Sequence, residues 1–374
     1  MKNIQTFILA LIALTLTSAC ATPLQRAIDQ NNASAAQNLI GQEENLNRKI
    51  GSDGDSYLTH ALKKGNQEMA LLLIKRGIDP NLPDGRGLPP IFIAIGADYA
   101  KVVRALMAKN VEINWKDTNA KTLLHYAAVV DRPEYIEMLI KRGISVNVRD
   151  RDGNTPLHDA ARFARNHKAA SLLLQRGADI NARNKEGNSP LMLAIQPLPR
   201  GKKIFSADLA VVMAMNYRRI KANEYEKQEE LFRILMARRP NLNYKDSTGF
   251  TALHWACAAK IPNFATELIN RGANVNIVSN SGYNALLASS SFIIETGEDA
   301  ISRKLVPKTT NVNQAEEMHG LTMLHVAVLL GKVELTNMLL KKGAKADIEN
   351  HKGETARGLA KKSYNPKIKK LFTE

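Results

Sequence analysis

The chain opens on an apolar run of about ten residues, Phe7 to Leu16, behind a single positive side chain at Lys2. From there on, polar punctuation falls at a nearly fixed interval. Asn47, Asn81, Asn114, Asn147, Asn181, Asn243, Asn276, Asn313 and Asp347 succeed one another at 34, 33, 33, 34, 62, 33, 37 and 34 residues. Each closes a segment such as Arg142-Gly143-Ile144-Ser145-Val146-Asn147 or Arg271-Gly272-Ala273-Asn274-Val275-Asn276. Glycine supplies the left-handed conformation that ends a helix, and the cation beside it faces the negative end of the helix dipole. The pattern predicts a helix stop followed by an extended pair, once per period.

A second signature follows each of these by a few residues: Gly153-Asn154-Thr155-Pro156-Leu157-His158, Gly187-Asn188-Ser189-Pro190-Leu191, Gly249-Phe250-Thr251-Ala252-Leu253-His254 and Gly320-Leu321-Thr322-Met323-Leu324-His325. Thr or Ser caps a helix here, and Pro fits its first turn because that N–H is unpaired in any case. With both motifs at one offset, the sequence resembles the ankyrin-repeat family, whose unit is a β-turn plus two antiparallel helices. The resemblance runs from Thr22 to the C-terminus. It implies an all-α ankyrin-repeat solenoid of helix-turn-helix units with hairpin tips, about nine repeats plus a C-terminal cap. Ser56-Tyr57-Leu58-Thr59, Pro89-Pro90-Ile91-Phe92 and Asn284-Ala285-Leu286-Leu287 depart from the motif.

The 62-residue spacing exceeds one period by 29 and places extra chain between Ile195 and Glu229. It begins with a basic, helix-breaking stretch from Gln196 to Lys203, continues as an apolar segment from Ala207 to Met215, and turns basic and aromatic at Tyr217 to Lys221. An insertion of this length is expected to leave the stack as a protrusion. The expected organisation is a signal peptide at 1–19, N-terminal repeats at 20–195, an insertion within the sixth repeat at 196–228, C-terminal repeats at 229–352, and a cap with a basic tail at 353–374. A smaller excursion around Ser289 to Thr296 has no assigned structure.

Phe7 to Leu16 is too short to span a bilayer and reads as the apolar region of a signal peptide. Leu16-Thr17-Ser18-Ala19-Cys20 resembles the lipobox of bacterial lipoproteins, which implies acylation of Cys20 and export to the periplasm. Ala21 in the next position resembles lipoproteins forwarded to the outer membrane. Ala19-Cys20-Ala21 also fits ordinary cleavage, which would release a secreted protein. Thr22 and Pro23 read as the cap and first residue of the first helix, so acylation would seat the repeats close to the bilayer.

With 52 Lys+Arg against 36 Asp+Glu, the formal charge of +16 favours acidic proteins, phosphates or anionic lipid as partners. Two cysteines, Cys20 and Cys257, exclude a disulfide framework and a Cys-rich metal site. The sequence holds no H-E-x-x-H, P-loop or G-x-S-x-G motif, so neither catalysis nor a cofactor or metal is expected. In the resembled family, the histidines at the positions of His125, His158, His254 and His325 bond to backbone across neighbouring units. Asp117, Asp150 and Asp246 read as hydrogen bonders at hairpin tips, and Cys257 as a buried, inert thiol.

The expected partner-binding surface has three parts. Lys116, Lys121, Arg149, Arg151, Arg183, Lys185 and Lys245 gather on the predicted tips. Tyr126, Arg162, Phe163 and Trp255 lie along the concave helices, where aromatic and Arg side chains favour interface hot spots. Lys202, Lys203, Arg218 and Arg219 belong to the insertion. Lys361, Lys362, Lys367, Lys369 and Lys370 make a basic end. The function expected is binding of a protein partner with an acidic surface, as a monomer or hetero-complex, to inhibit or give immunity against an envelope enzyme or toxin. The alternatives are a tether that binds anionic lipid or wall polymer, and a secreted effector that binds a host protein. Export argues against nucleic acid.

Overall fold

The computed structural model describes residues 21–43, 45–164, 167–196, 224–259 and 261–373, and all of their side chains except those of 163–164 and 224–225. The signal segment 1–19, Cys20 and insertion residues 197–223 lie outside them. The chain divides into two compact units, residues 1–151 with 200–224 and residues 152–199 with 225–374.

Helices come in antiparallel pairs because each motif starts one and stops the next. Thr251 caps Ala252–Ala258 through a box in which His254 Nδ1 accepts the Thr251 N–H at 3.2 Å. The second helix, Pro262–Asn270, begins on proline. It ends at Gly272, φ 86°, with the Ala273 N–H returning to Leu268 O at 2.9 Å.

In the first unit the pairs are Pro23–Asp29 with Ala33–Gln42, Tyr57–Lys63 with Gln67–Lys75, Pro90–Gly96 with Ala100–Met107, and Leu123–Val129 with Pro133–Lys141. Two short strands, β1 (Lys49–Ile50) and β2 (Asp55–Ser56), pair antiparallel to form one of the tips. In the second unit they are Pro156–Asp159 with His167–Gln175, Pro190–Ile195 with Glu224–Ala237, Ala252–Ala258 with Pro262–Asn270, Ala285–Ala288 with Ala300–Leu305, Met323–Leu329 with Val333–Lys341, and Ala356–Lys362 with Pro366–Lys370. Tyr57, Phe92, Tyr135 and Phe264 are fully buried, Phe92 against Trp115 and Tyr126 and Phe264 against Phe232. A buried side chain of this size contributes about 1.5–3 kcal/mol, and alanine on the first helices keeps the layers close.

The sequence departures keep the pattern. Ser56 caps Tyr57–Lys63 with Thr59 as its reciprocal partner, Pro89 precedes Pro90–Gly96, and Asn284 accepts the Leu287 N–H at 2.9 Å. Thr22 caps Pro23–Asp29 by accepting the Gln25 N–H at 3.0 Å. Residues 353–373 form a short but complete pair headed by Thr355.

Three of the length irregularities in the second unit are absorbed between the paired helices, and a fourth, one residue, in the tip from Asn313 to Thr322. Thr155 to Gly177 spans 22 residues where Thr122 to Gly143 and Thr251 to Gly272 span 21, and a widened π-type turn at Ala160–Ala164 takes up the extra one. The four residues by which the Asn276–Asn313 interval exceeds 33 continue the first helix as Ser290–Thr296, ending on Gly297 at φ 76°. Ser289 Oγ and Ser302 Oγ, 2.7 Å apart and buried, tie this extension to the second helix. The long insertion is narrower than its spacing suggests: Glu224 to Gln228 belong to Glu224–Ala237, and Gln228 Nε2 donates to Ala194 O at 2.8 Å.

Candidate partner-binding surface

The tips are built around one acceptor side chain each. Asp117 Oδ1 accepts the N–H groups of Asn119 and Lys121, both at 2.8 Å, and Asp246 Oδ1 accepts those of Thr248 and Phe250 at 2.9 and 3.0 Å. The second oxygen is taken by a side chain from a helix. Tyr126 Oη donates to Asp117 at 2.5 Å, Trp255 Nε1 to Asp246 at 2.8 Å, and Lys63 Nζ reaches Asp84 at 2.7 Å and Asp55 at 2.8 Å. These carboxylates are saturated hydrogen-bond acceptors that shape turns, as expected of Asp117 and Asp246.

Successive tips are zipped together by backbone. In the first unit the Arg151 N–H donates to Asn119 O at 2.7 Å. In the second, Lys185 donates to Asp152 O, Ser247 to Glu186 O, Asn280 to Thr248 O, Glu317 to Ser281 O and His351 to His319 O, at 2.7–3.1 Å. Gly249 shows why these tips need glycine: at φ 81°, a Cβ there would stand 2.6 Å from Asn280 N. The periodic asparagines form a parallel ladder. Asn47 Oδ1 accepts the Asp79 N–H, Asn81 that of Glu112, Asn243 that of Asn274, Asn276 that of Thr310 and Asn313 that of Lys345, at 2.7–2.9 Å. Asn181 accepts from Asn241 at 2.8 Å, so the ladder crosses the insertion without a break.

The four motif histidines are buried. The Nε2 atoms of His158, His254 and His325 face Asn188 O, Tyr283 O and Glu354 O of the next repeat at 3.1, 3.0 and 3.2 Å. Burial pushes the His254 and His325 imidazoles below their ordinary range, and pushes the Cys257 thiol up to about 12. In each box Nδ1 accepts the Thr N–H, which fixes the neutral tautomer with hydrogen on Nε2.

Of the cations expected on the tips, Lys116, Arg149, Arg151, Arg183, Lys185 and Lys245 are exposed. Arg183 and Lys245 lace neighbouring tips. Arg183 Nη2 donates to Lys245 O at 2.7 Å, with its guanidinium 5.3 Å from the Tyr244 ring centre, and Lys245 Nζ donates to Val278 O at 2.9 Å. Lys121 is drawn inward: its ammonium lies 2.9 Å from Asp150 Oδ2, with only 15% and 1% of the two side chains exposed. Tyr126 is likewise buried against Phe92, its hydroxyl committed to Asp117. Its ring packs the core, where the concave-face expectation had placed it at an interface. Trp255 is half-buried beside Phe250, and Arg162, also half-buried, lies 3.8 Å from Glu186. The Phe163 side chain and Lys202, Lys203, Arg218 and Arg219 lie outside the described residues.

Sequence reasoning missed Lys63 and the Asp98 site, where Arg132 donates through Nε at 2.8 and 3.0 Å and through Nη2, and Tyr135 Oη donates at 2.9 Å. The bonds from Lys63 to Asp84 and from Arg132 and Tyr135 to Asp98 have no local signal, because each acceptor lies in a neighbouring repeat. A cleft of about 490 Å³ lies between Glu224–Ala237 and Pro262–Asn270, over Phe232 and Phe264 stacked at 4.0 Å. Its Arg233 pairs with Glu229 at 2.8 Å and its Arg271 with Glu267 at 2.6 Å.

Comparison with known families matches ankyrin repeats in 3 copies over 7–84, 80–150 and 220–314, ankyrin repeats in many copies over 139–194, and a single ankyrin repeat over 319–352. Among curated proteins, palmitoyltransferase ZDHHC13 of Homo sapiens is 32% identical over 123 residues, 33% of this chain and 19% of that protein. Neurogenic locus notch homolog protein 1 of Mus musculus is 28% identical over 135 residues, 36% of this chain and 5% of that protein. Rabankyrin-5 of Mus musculus is 30% identical over 113 residues, 27% and 10% of the two chains. The chain spans less than a fifth of the length of these relatives.

Proposed function

Because the chain belongs to the ankyrin-repeat family, whose members serve protein–protein interaction, we propose that it is an exported, lipid-anchored binding protein that covers an acidic surface of one envelope enzyme or toxin. The observation that carries this reading is the zipping of tips within each unit. Within the first unit the backbone bond from the Arg151 N–H to Asn119 O holds neighbouring tips together before a partner arrives, so the exposed Lys116 and Arg151 meet an acidic surface with little ordering entropy lost. A positive edge also raises association rates and makes them salt-sensitive. The part played by the chain is binding without catalysis, a reading supported by the motif histidines and tip aspartates being taken up in structure. Acylation of Cys20 would hold this surface at the membrane and limit its partners to the envelope.

The test is co-purification of the full chain, expressed with its own N-terminus, from detergent-solubilised envelope. One stoichiometric envelope protein is expected at low salt. It should be lost at high salt and with Lys116→Glu plus Arg151→Glu, while the melting temperature stays unchanged. Capture of wall polymer alone, or recovery of the protein in the medium, would sink the reading.

A further inference from the structure

We propose that the helix–helix turns at the C-terminal end of the second unit form a docking face for an anionic membrane surface. The turns are contiguous. The Lys332 ammonium donates to Gly297 O, and a Cβ on Gly331 would lie 3.8 Å from Asn365 Nδ2. Along this row the protein exposes Ile294 (64%), Leu329 (57%), Leu330 (37%) and Tyr364 (104%), four of the five large apolar side chains left exposed among the described residues. Ile294 lies one turn before Gly297, Leu329 and Leu330 end the Met323–Leu329 helix, and Tyr364 links the last two helices.

The surrounding charge selects the partner. From Leu329 to Thr373 the sequence carries 11 Lys+Arg against four Asp+Glu, whereas the Ile294 turn carries Glu295, Glu298 and Asp299, so the basic part of the face is its Leu329–Tyr364 end. Lys362, Lys367 and Lys369 are exposed, and among the described residues no ion pair engages them. An extended acidic peptide would need a groove with two walls. Here the apolar side chains stand on turns, and Tyr364 projects without cover. That arrangement fits a soft interface which apolar side chains enter, tyrosine borders at headgroup level, and lysines hold through phosphates. The face goes beyond the protein-partner reading and needs neither a protein partner nor acylation of Cys20.

The test uses the full chain carrying Cys20→Ser, so that no acyl chain contributes, and Tyr364→Trp as a local reporter. Vesicles of phosphatidylcholine mixed with phosphatidylglycerol should shift the added tryptophan emission to the blue, over the signal of Trp115 and Trp255 in the parent, and vesicles of phosphatidylcholine alone should not. Lys362→Ala with Lys367→Ala should raise the lipid concentration needed for half the shift about 30-fold, as expected for about 1 kcal/mol per near-surface lysine. Leu329→Ser with Leu330→Ser should abolish the shift at unchanged melting temperature. No shift, an equal shift on neutral vesicles, or an emission change produced by polyglutamate but not by vesicles would overturn the proposal, the last by assigning the face to an acidic protein. Capture of a partner by the tips leaves this outcome unaffected, so the two readings fail separately.

Discussion

Replacing residues 197–223 by a turn of about four residues is expected to stabilise the second unit. The repeats on either side already bond each other as if consecutive: Asn181 Oδ1 to the Asn241 N–H at 2.8 Å, Arg183 Nη2 to Lys245 O at 2.7 Å, and the Ser247 N–H to Glu186 O at 2.7 Å. None of these contacts uses the excised chain. What the deletion removes is loop-closure entropy. Shortening 27 residues, 197 to 223, to about four gives (3/2)RT ln(27/4), about 1.7 kcal/mol. Urea unfolding followed by far-ultraviolet circular dichroism should show a higher midpoint with the m-value preserved. Asn181→Ala should cost about 1 kcal/mol in both backgrounds, since its acceptor serves the same N–H with or without the insertion. Destabilisation by more than about 1 kcal/mol on deletion would refute the reasoning and mean that the apolar Ala207 to Met215 segment packs on the repeats.

Three further outcomes follow from single side chains. Lys63→Met strands Asp55 and Asp84, whose side chains are 5% and 2% exposed, so a loss of about 3–5 kcal/mol is expected in thermal melts; a loss below about 1 kcal/mol would contradict the bridge. His254 and His325 are held neutral by burial, so between their lowered folded pKa and about 6.5 the unfolded chain binds more protons than the folded one. Their stabilisation is therefore complete above about pH 6.5 and declines as pH falls below it, and His254→Gln with His325→Gln should flatten that slope in urea titrations run at several pH values. Ala120 holds φ 59° at a tip where other repeats place glycine, and Ala120→Gly should raise the unfolding free energy by roughly 1 kcal/mol; a lower midpoint would show that the left-handed backbone is not strained there.

How much of this was legible depends on how far each side chain reaches. The Thr–His boxes and Gly stops act within a few residues, so Thr251 with His254 and Gly272 after Asn270 could be read directly from the sequence. The period located Asn181 and Asn243 as repeat markers but not their work, because each bonds an N–H in the next repeat. The cations were harder still. Lys121, Arg183 and Lys245 sit at the tips where the sequence placed them, yet long flexible stems turn their charged ends toward Asp150 and backbone carbonyls of neighbouring turns. Tyr126 and Trp255 share one motif position, but only the fold shows that both lean onto the aspartate nine residues earlier. Exposure at Leu329 and Tyr364 has no local signature, since it depends on which neighbours fail to cover them.

In the second unit, the zipped tips carry the alignment from one repeat to the next, and the one-residue π turn, the four-residue helix extension and the long insertion all fall between paired helices. Length changes there are decoupled from register. A sequence diverging under these rules can gain or lose residues at the helix turns while every downstream layer keeps its place, and the tip from Asn313 to Thr322 takes one extra residue between its donor Glu317 and its acceptor His319 with both bonds kept. Large variation in length should therefore accumulate at the helix turns, while the tips vary by single residues, as Asn47 to Ser56 and Asn313 to Thr322 do by spanning nine residues where the other tips span eight.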